Sequence, residues 1–419
     1  MSKSHKNSCK IRAYIHPALL LALLGGLTMA QSIALASRPE PRAKQIATIP
    51  IKLVKNHIFI RVEVNNSGPL WFLFDTGDKF AILNLERAKQ LNVELQGKVR
   101  AMGGGPGALE GAMVKSASVT VAGLSGFSQP VVVAIPLGAI EAQMGHQIDG
   151  LIGADFISQY VVEIDYASTI MRLYEKDGYA YSGTGTSIPI HLNGSGHLLA
   201  DAQLLIQGRS PIDATFVVDL GSNAFLSLHR PFVDSQHLVS PNQKTLRMVI
   251  GFGAGGESVG LLGRIAGLKI GGFTIDNPVT NFSQDEAGVF ANASEIQGNI
   301  GAQIMEKFKV ILDYGNNRMI LEPNSHFADP MEADMSGLIL VSEGTDYKTI
   351  RISQVTPSTP GAEAGLKPGD TIVSVDGDAQ ASLTLSSMEE MFSTPATHTL
   401  RVKRENEVFN VELKLRRLV

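Results

Sequence analysis

Cysteine is all but absent from these 419 residues: the single one, Cys9, lies in a charged stretch ahead of the first apolar run. Disulfides therefore carry none of the fold, and a chain of this length can build its cores without them. Charge is sparse as well. Asp, Glu, Lys and Arg together make 18% of the chain and sum to a formal charge of −4, which excludes the basic surface that nucleic acid or anionic lipid requires. The ten histidines show no His-Glu-x-x-His spacing, and none pairs with a Gly-x-Ser-x-Gly elbow, so metal and serine catalysis are disfavoured and no cofactor is expected.

Acidic residues are missing altogether from residues 1–36. Lys3, Lys6, Lys10 and Arg12 precede the apolar run Ala18-Leu19-Leu20-Leu21-Ala22-Leu23-Leu24, and Ala34-Leu35-Ala36 follows. That order reads as a secretory signal peptide over 1–36, with an apolar run shorter than the ~20 residues of a spanning helix. Cleavage after Ala36 is expected to remove Cys9, excluding thiol catalysis, and to take the formal charge to −8. It would leave a periplasmic or secreted protein with no stable membrane insertion; an uncleaved anchor is the alternative.

What is present is glycine, 42 residues of it, within a 44% hydrophobic composition. Short Val, Ile and Leu stretches broken by Gly, Asn or Asp read as β-strands and turns. The chain also repeats itself. Ile49-Pro50-Ile51 returns as Ile188-Pro189-Ile190, Asp75-Thr76-Gly77 as Asp219-Leu220-Gly221, and Gly150-Leu151-Ile152-Gly153-Ala154 as Gly298-Asn299-Ile300-Gly301-Ala302. A period of roughly 140 to 150 residues means duplication of a whole lobe rather than a solenoid. The expected lobes are 45–178 and 185–325, each ending in a β-hairpin (161–166 with 170–174, and 309–314 with 318–322). One helix is expected in each, over 84–90 and near 230–233, with strand and loop elsewhere.

Each triplet closes a hydrophobic run, Leu73-Phe74 or Phe216-Val217-Val218, and meets its Ile-Gly step 77 or 81 residues later. A single Asp-x-Gly is an ordinary turn; two in an ordered repeat point to one carboxylate from each lobe at the floor of a shared cleft. Gly77 and Gly221 would permit the sharp turn out of each strand. Two carboxylates ~3 Å apart hold one proton between them and so supply a base for water and an acid for a carbonyl oxygen.

With these residues in view, the chain resembles the retropepsin-like aspartyl proteases, in the bacterial secreted form with two lobes and a C-terminal PDZ domain, over about residues 45 to 419. The resemblance implies a mainly β fold: a two-lobed pepsin/retropepsin-like β-barrel plus a small α+β PDZ domain. It also implies catalytic roles for Asp75 and Asp219, a loop-bracing role for Thr76, and glycine-rich flaps over an extended peptide. Ser222 fits the family pattern. Two departures stand out. Leu220 replaces the second bracing threonine, and Asp78-Lys79 replaces small residues after the first triplet; both side chains are expected to face solvent, the alternative being an Asp78 near the dyad that raises its proton affinity unless Lys79 neutralises it.

Gly103, Gly104, Gly105 and Gly107 fall where the first flap belongs, and Gly251, Gly253 and Gly256 occupy the matching place in the second lobe. The latter three also spell Gly-x-Gly-x-x-Gly, but no helix pattern follows, so nucleotide binding is set aside.

The last unit, 336–419, has strands expected over 338–341, 349–355, 371–375, 399–404 and 408–415, and a helix over 385–392. Its run Pro360-Gly361-Ala362-Glu363-Ala364-Gly365-Leu366-Lys367-Pro368-Gly369-Asp370 is similar to the PDZ signature of envelope proteases. The resemblance implies strand addition of a peptide to Leu338-Ile339-Leu340 beside the helix carrying Met388, with amides near Gly337 receiving a C-terminal carboxylate. The alternative is a PDZ fold packed on the protease without a ligand. The expected function is an aspartic endopeptidase acting on extended polypeptides; a non-catalytic peptide-binding protein with a degenerate dyad is the rival.

Overall fold

Six antiparallel strands tie the two lobes together, and they are the ends of the repeat. The computed structural model describes residues 44–288, 291 and 295–419; the expected signal segment and Cys9 lie outside them. In the central sheet the order runs Gln45–Pro50, Ile170–Tyr174, Val161–Asp165, Phe308–Asp313, Arg318–Pro323, Thr186–Leu192. The two lobe-ending hairpins meet in the middle, with Ile164 opposite Val310 and Glu163 opposite Ile311. Phe308–Asp313 is buried almost throughout, and Val161, Val162 and Ile164 are fully buried beside it.

Around this seam the protein is mainly β. In the first lobe Lys52–Val54 and His57–Val64 form a hairpin whose turn, Lys55-Asn56, takes left-handed φ of 48° and 65°. Asparagine tolerates that conformation, and a two-residue turn of this hand suits the twist of the strands. His57–Val64 pairs on with Leu70–Phe74. In the second lobe Leu198–Leu205 pairs with Ile212–Asp219. One apolar core, from Ile49 through Phe72 and Phe216 to Leu321, runs through both lobes.

The helix at Leu85–Gln90 forms where expected, capped by the Asn84 side chain, which accepts from Glu86 N–H. A helix at Arg230–Ser235 extends the expected turn. The structure adds Gly138–Met144, Ala154–Ile157 and Ala302–Met305, all expected as strand or loop. These are four to seven residues long, too short for a periodic pattern to emerge, though Gly145 in left-handed conformation is a glycine stop for the first.

The C-terminal unit is a sheet ordered Leu338–Glu343, Thr349–Val355, Thr371–Val375, Thr397–Arg404, Glu407–Lys414, with the Leu385–Phe392 helix packed on it. That helix begins with a reciprocal cap between Thr384 and Ser387. Met388 is fully buried with Ile350, Ile372, Phe392 and Leu400 in this unit's own core. Met388 is thus core rather than peptide contact, one turn of helix placing it under the groove instead of along it.

Lobes and C-terminal unit form one compact body. Lys55 Nζ reaches Glu389 at 3.4 Å, and Lys55 N–H donates to Ser386 Oγ at 3.2 Å. Gly145 packs against Leu385 and Ser342. Arg264 of the second lobe pairs with Glu332 of the connector at 2.9 Å. Among the described residues no helix is long and apolar enough to cross a membrane.

Candidate active site

The spacing between each triplet and its Ile-Gly step has a structural cause. Leu70–Phe74 runs parallel to Gly150–Ile152, with Phe74 opposite Ile152, and Ile212–Asp219 runs parallel to Gly298–Gly301, with Val218 opposite Ile300. A parallel neighbour needs a long crossover, hence the separation in sequence. Past each strand the triplet loop folds over the glycine: Ala154 N–H donates to Asp78 O at 2.9 Å and Ala302 N–H to Ser222 O at 2.8 Å. A Cβ on Gly153 would overlap Asp78 O, and one on Gly301 would overlap Ala224 O.

The two loops meet at the cleft floor. Gly77 N–H donates to Asp75 Oδ1 at 2.7 Å and Gly221 N–H to Asp219 Oδ1 at 3.0 Å. Each aspartate also lies against the other loop's glycine. A Cβ on Gly77 would stand 2.9 Å from Asp219 Oδ1 and 3.1 Å from Asp75 Oδ1, and one on Gly221 would overlap the Asp75 carboxylate itself. Glycine is needed at both positions because the opposing carboxyl fills the space.

Thr76, fully buried, braces the loops from one side. Its Oγ1 donates to Val218 O at 2.6 Å and accepts from Leu220 N–H at 2.8 Å. Leu220 has no hydroxyl to return the pair and instead packs, fully buried, in the lobe core. Ser222 Oγ accepts from Ala224 N–H at 3.3 Å. A second crossing comes from His57, which hydrogen-bonds the backbone oxygens of Val54 and Gly221; burial lowers its pKa to about 4, so the ring is neutral.

Both carboxyls of the dyad are held above the ordinary carboxylate range. Burial raises Asp75 well above the carboxylate range, and negative charge on Asp219 and Asp78 adds to the effect. Asp219 is pushed only to about 6, burial being opposed by Gly221 N–H, the Asn299 side chain and Ser222 N–H. Asn299 Nδ2 donates to Asp219 Oδ2 at 3.1 Å, and Asn299 Oδ1 sits 3.3 Å from Nε2 of buried His229. Where Asn299 stands the first lobe has Leu151, so one aspartate alone receives this donor.

Asp78 corrects the expectation that it faces solvent. Half-buried, it lines the cavity with the dyad, and burial followed by the Asp219 charge raises it to about 6. The loop crossing over Gly153 turns it inward, making a third carboxyl at the site. Lys79 runs the other way, against Gly196 and 5.4 Å from the Phe80 ring centre.

Two hairpins close over the cavity and touch at their tips. The first joins Leu95–Ala101 to Leu109–Val114, the second Leu246–Gly253 to Gly256–Arg264. Gly255 N–H donates to Gly104 O, and Gly107 N–H to Gly255 O, both at 2.7 Å. A Cβ on Gly103 would stand 3.0 Å from that of Ala254, one on Gly253 would reach Gly104 O at 2.7 Å, and one on Gly105 would meet Gly256 O at 2.5 Å. The second hairpin also spells Gly256-Glu257-Ser258-Val259-Gly260. Ser258 lies mid-strand, its buried hydroxyl without a partner among the described residues, unlike the strand-to-helix turn of a serine nucleophile.

Gly337 departs from its expected role. Its N–H donates to Asp334 Oδ1 at 3.0 Å, so the amide is already engaged from within the chain. Its φ of 71° and the nearness of Thr359 leave no room for a side chain. Leu338, Ile339 and Leu340 do line the cavity.

Sequence reasoning passed over Asn299, His229, His57 and the Gly138–Met144 helix. Asn299 alone left a signal, standing inside the repeated Gly-x-Ile-Gly-Ala step.

Residues 60–156 match the aspartyl protease family, and residues 335–415 match the PDZ domain. The chain carries an aspartyl protease domain and a C-terminal PDZ domain. The matched protease span contains Asp75-Thr76-Gly77 and Gly153; Asp219 lies beyond it. No curated protein matches the chain.

Proposed function

We propose that this protein is an aspartic endopeptidase that hydrolyses extended polypeptides with Asp75 and Asp219. The observation that carries the reading is the point above Gly77, flanked at 2.9 and 3.1 Å by oxygens of the two aspartates. Two carboxyls brought this close from separate lobes share a proton. The Asn299 donor, which has no counterpart at Asp75, favours the ionised form at Asp219, and the mechanism is written with the shared proton on Asp75.

The chemistry follows from that state. Asp219 takes a proton from water as the water oxygen attacks the peptide carbon, and Asp75 gives its proton to the carbonyl oxygen. The resulting gem-diol collapses when Asp219 passes its proton to the leaving nitrogen and Asp75 recovers one from a hydroxyl. The carboxyl and amine products leave the dyad as it began. The touching flaps exclude water while the peptide is held and must part to admit it. A periplasmic or secreted location, from residues 1–36, belongs to the same proposal.

A peptide library incubated from roughly pH 4 to 8 with the mature protein tests it, beside Asp75→Asn and Asp219→Asn. Cleavage that both substitutions abolish is expected. No cleavage at any pH, or cleavage indifferent to both, would overturn the assignment. Absence of cleavage leaves the rival reading of a non-catalytic peptide-binding protein, favoured by the one-sided brace and by the third carboxyl at Asp78.

A further inference from the structure

A chain of side chains leaves the dyad on the Asp219 side, through Asn299 to His229, and its two ends make opposite demands. His229 is buried ahead of the Arg230–Ser235 helix, with Nδ1 lying 3.0 Å from Ile296 O. A carbonyl oxygen only accepts, so Nδ1 carries a ring proton. Burial lowers the pKa of His229 to about 4, so above that pH the ring is neutral and Nε2 is an acceptor.

Opposite Nε2, at 3.3 Å, stands Asn299 Oδ1, an acceptor as well. That pairing follows from the far end of the amide, where Nδ2 donates to Asp219 Oδ2 at 3.1 Å. With a neutral ring, the amide thus satisfies an ionised Asp219 and sets two acceptors face to face at His229. A half-turn of the amide reverses this: Nδ2 would donate to Nε2, and Oδ1 would accept from a proton on Asp219 Oδ2. Asp219 Oδ2 is the oxygen to bear that proton, because Oδ1 accepts from Gly221 N–H at 3.0 Å. Only a protonated Asp219 satisfies all three side chains at once.

Neighbouring charges do not offset this preference. Arg230, next to His229, turns to Glu286 at 3.1 Å and Asp234 at 3.5 Å. Beyond Asp219 stand Asp75 and Asp78, and like charges so close favour a proton within the group. His57, also neutral, bonds the backbone of the Asp219 loop rather than a carboxyl. At the place of Asn299 the first lobe has Leu151, which offers Asp75 neither end of an amide.

We propose that His229 and Asn299 are positioning residues for the general base: the Asn299 amide turns over as Asp219 takes a proton, and the hydrogen bond gained at His229 draws that proton onto Asp219. This rests on the peptidase reading for the source of the proton; the coupling can be read without cleavage. In attack, one proton passes from water to Asp219 Oδ2 while the water oxygen bonds to the peptide carbon and Asp75 protonates the carbonyl oxygen. When Asp219 hands its proton to the leaving nitrogen, the amide turns back. His229 neither gains nor loses a proton in the cycle.

Nitrogen NMR of the full mature chain with isotopically labelled histidine tests the coupling, the His229 signals being those that His229→Gln removes. From roughly pH 8 to 5, Nδ1 alone is expected to carry a proton. As pH falls through about 6, where Asp219 takes its proton, the Nε2 resonance should move to the position of a hydrogen-bonded acceptor. Asn299→Leu should abolish the movement. Asp219→Asn, whose amide donates as the protonated acid does, should hold the resonance at the hydrogen-bonded position throughout. In activity, His229→Leu should lower the acid limb of kcat/KM by about half to one unit, the worth of one hydrogen bond, and lower kcat with KM little changed. His229→Gln, which offers an acceptor in the same place, should restore the limb. A proton on Nε2 in that range, a resonance indifferent to pH, or a response that survives Asn299→Leu would overturn the proposal. So would a fall in kcat at every pH with the limb unmoved, the mark of a packing role. If the unmodified protein cleaves nothing yet the resonance responds as described, the peptidase reading falls and the coupling stands.

Discussion

Thr76 and Leu220 face each other across the lobes, and only Thr76 can bond: its hydroxyl accepts Leu220 N–H at 2.8 Å while donating to Val218 O at 2.6 Å. The brace is half of the reciprocal pair that the family pattern implies, and all of its polar content rests on one side chain. Leu220 contributes apolar burial instead.

Thr76→Val keeps the shape and strands two buried backbone groups. At ~1 to 3 kcal/mol for each, a loss of about 2 to 6 kcal/mol in unfolding free energy is expected. Loosened loops should also lower kcat by roughly 10- to 100-fold. Leu220→Thr trades about 1 to 2 kcal/mol of apolar burial against two regained hydrogen bonds near 1 kcal/mol each, so stability should change little. Denaturant titration of both variants checks the contrast. Equal losses in the two would show that the brace is symmetric after all.

Asp78 bears on the pH range of activity. Hydrolysis needs one proton on the dyad, and the negative charge of Asp78 above about pH 6 makes that proton harder to lose. Asp78→Ser removes the charge, so the pair should lose its proton at lower pH. The alkaline limb of kcat/KM is expected to move down by about one to two units, the effect of a charge roughly 6 to 12 Å away in a medium of dielectric near 20. A profile from pH 4 to 8 that shifts upward, or not at all, would place Asp78 outside the dyad's field.

Much of this arrangement was legible because the repeat aligned residues that the fold sets on neighbouring strands. Phe74 lies beside Ile152 as Val218 lies beside Ile300, so two distant motifs with like spacing marked two like sites. The Leu385–Phe392 helix carried its own cap and apolar spacing. What escaped notice depends on contacts between parts far apart in the chain. Nothing local marks His57 as reaching Gly221, or Asp334 as filling the seat beside Gly337. Asp78 stood out as a departure from the family pattern, and only the crossing over Gly153 shows that it faces inward. Flap contact is of the same kind: each glycine run was visible, but their meeting at Gly104 and Gly255 arises from the pairing of lobes.

Glu306 gives a stability signal separate from catalysis. It lines the passage towards the PDZ domain, and burial, opposed by the charges of Lys307 and His326 and aided less by those of Glu389 and Asp329, raises its pKa to about 7. The folded state therefore binds this proton more tightly than the unfolded chain, whose glutamate titrates near 4.5. The stability so contributed is full below pH 4.5 and is lost as pH rises through about 7. Glutamine at this position has no proton to lose. Glu306→Gln should therefore gain on the unmodified protein as pH rises, by up to about 2 kcal/mol between pH 4.5 and 7.5 once partial exposure is discounted. Urea unfolding of both proteins at the two pH values measures the difference directly. A gap that stays constant, or that closes as pH rises, would mean that Glu306 titrates alike in the folded and unfolded chain.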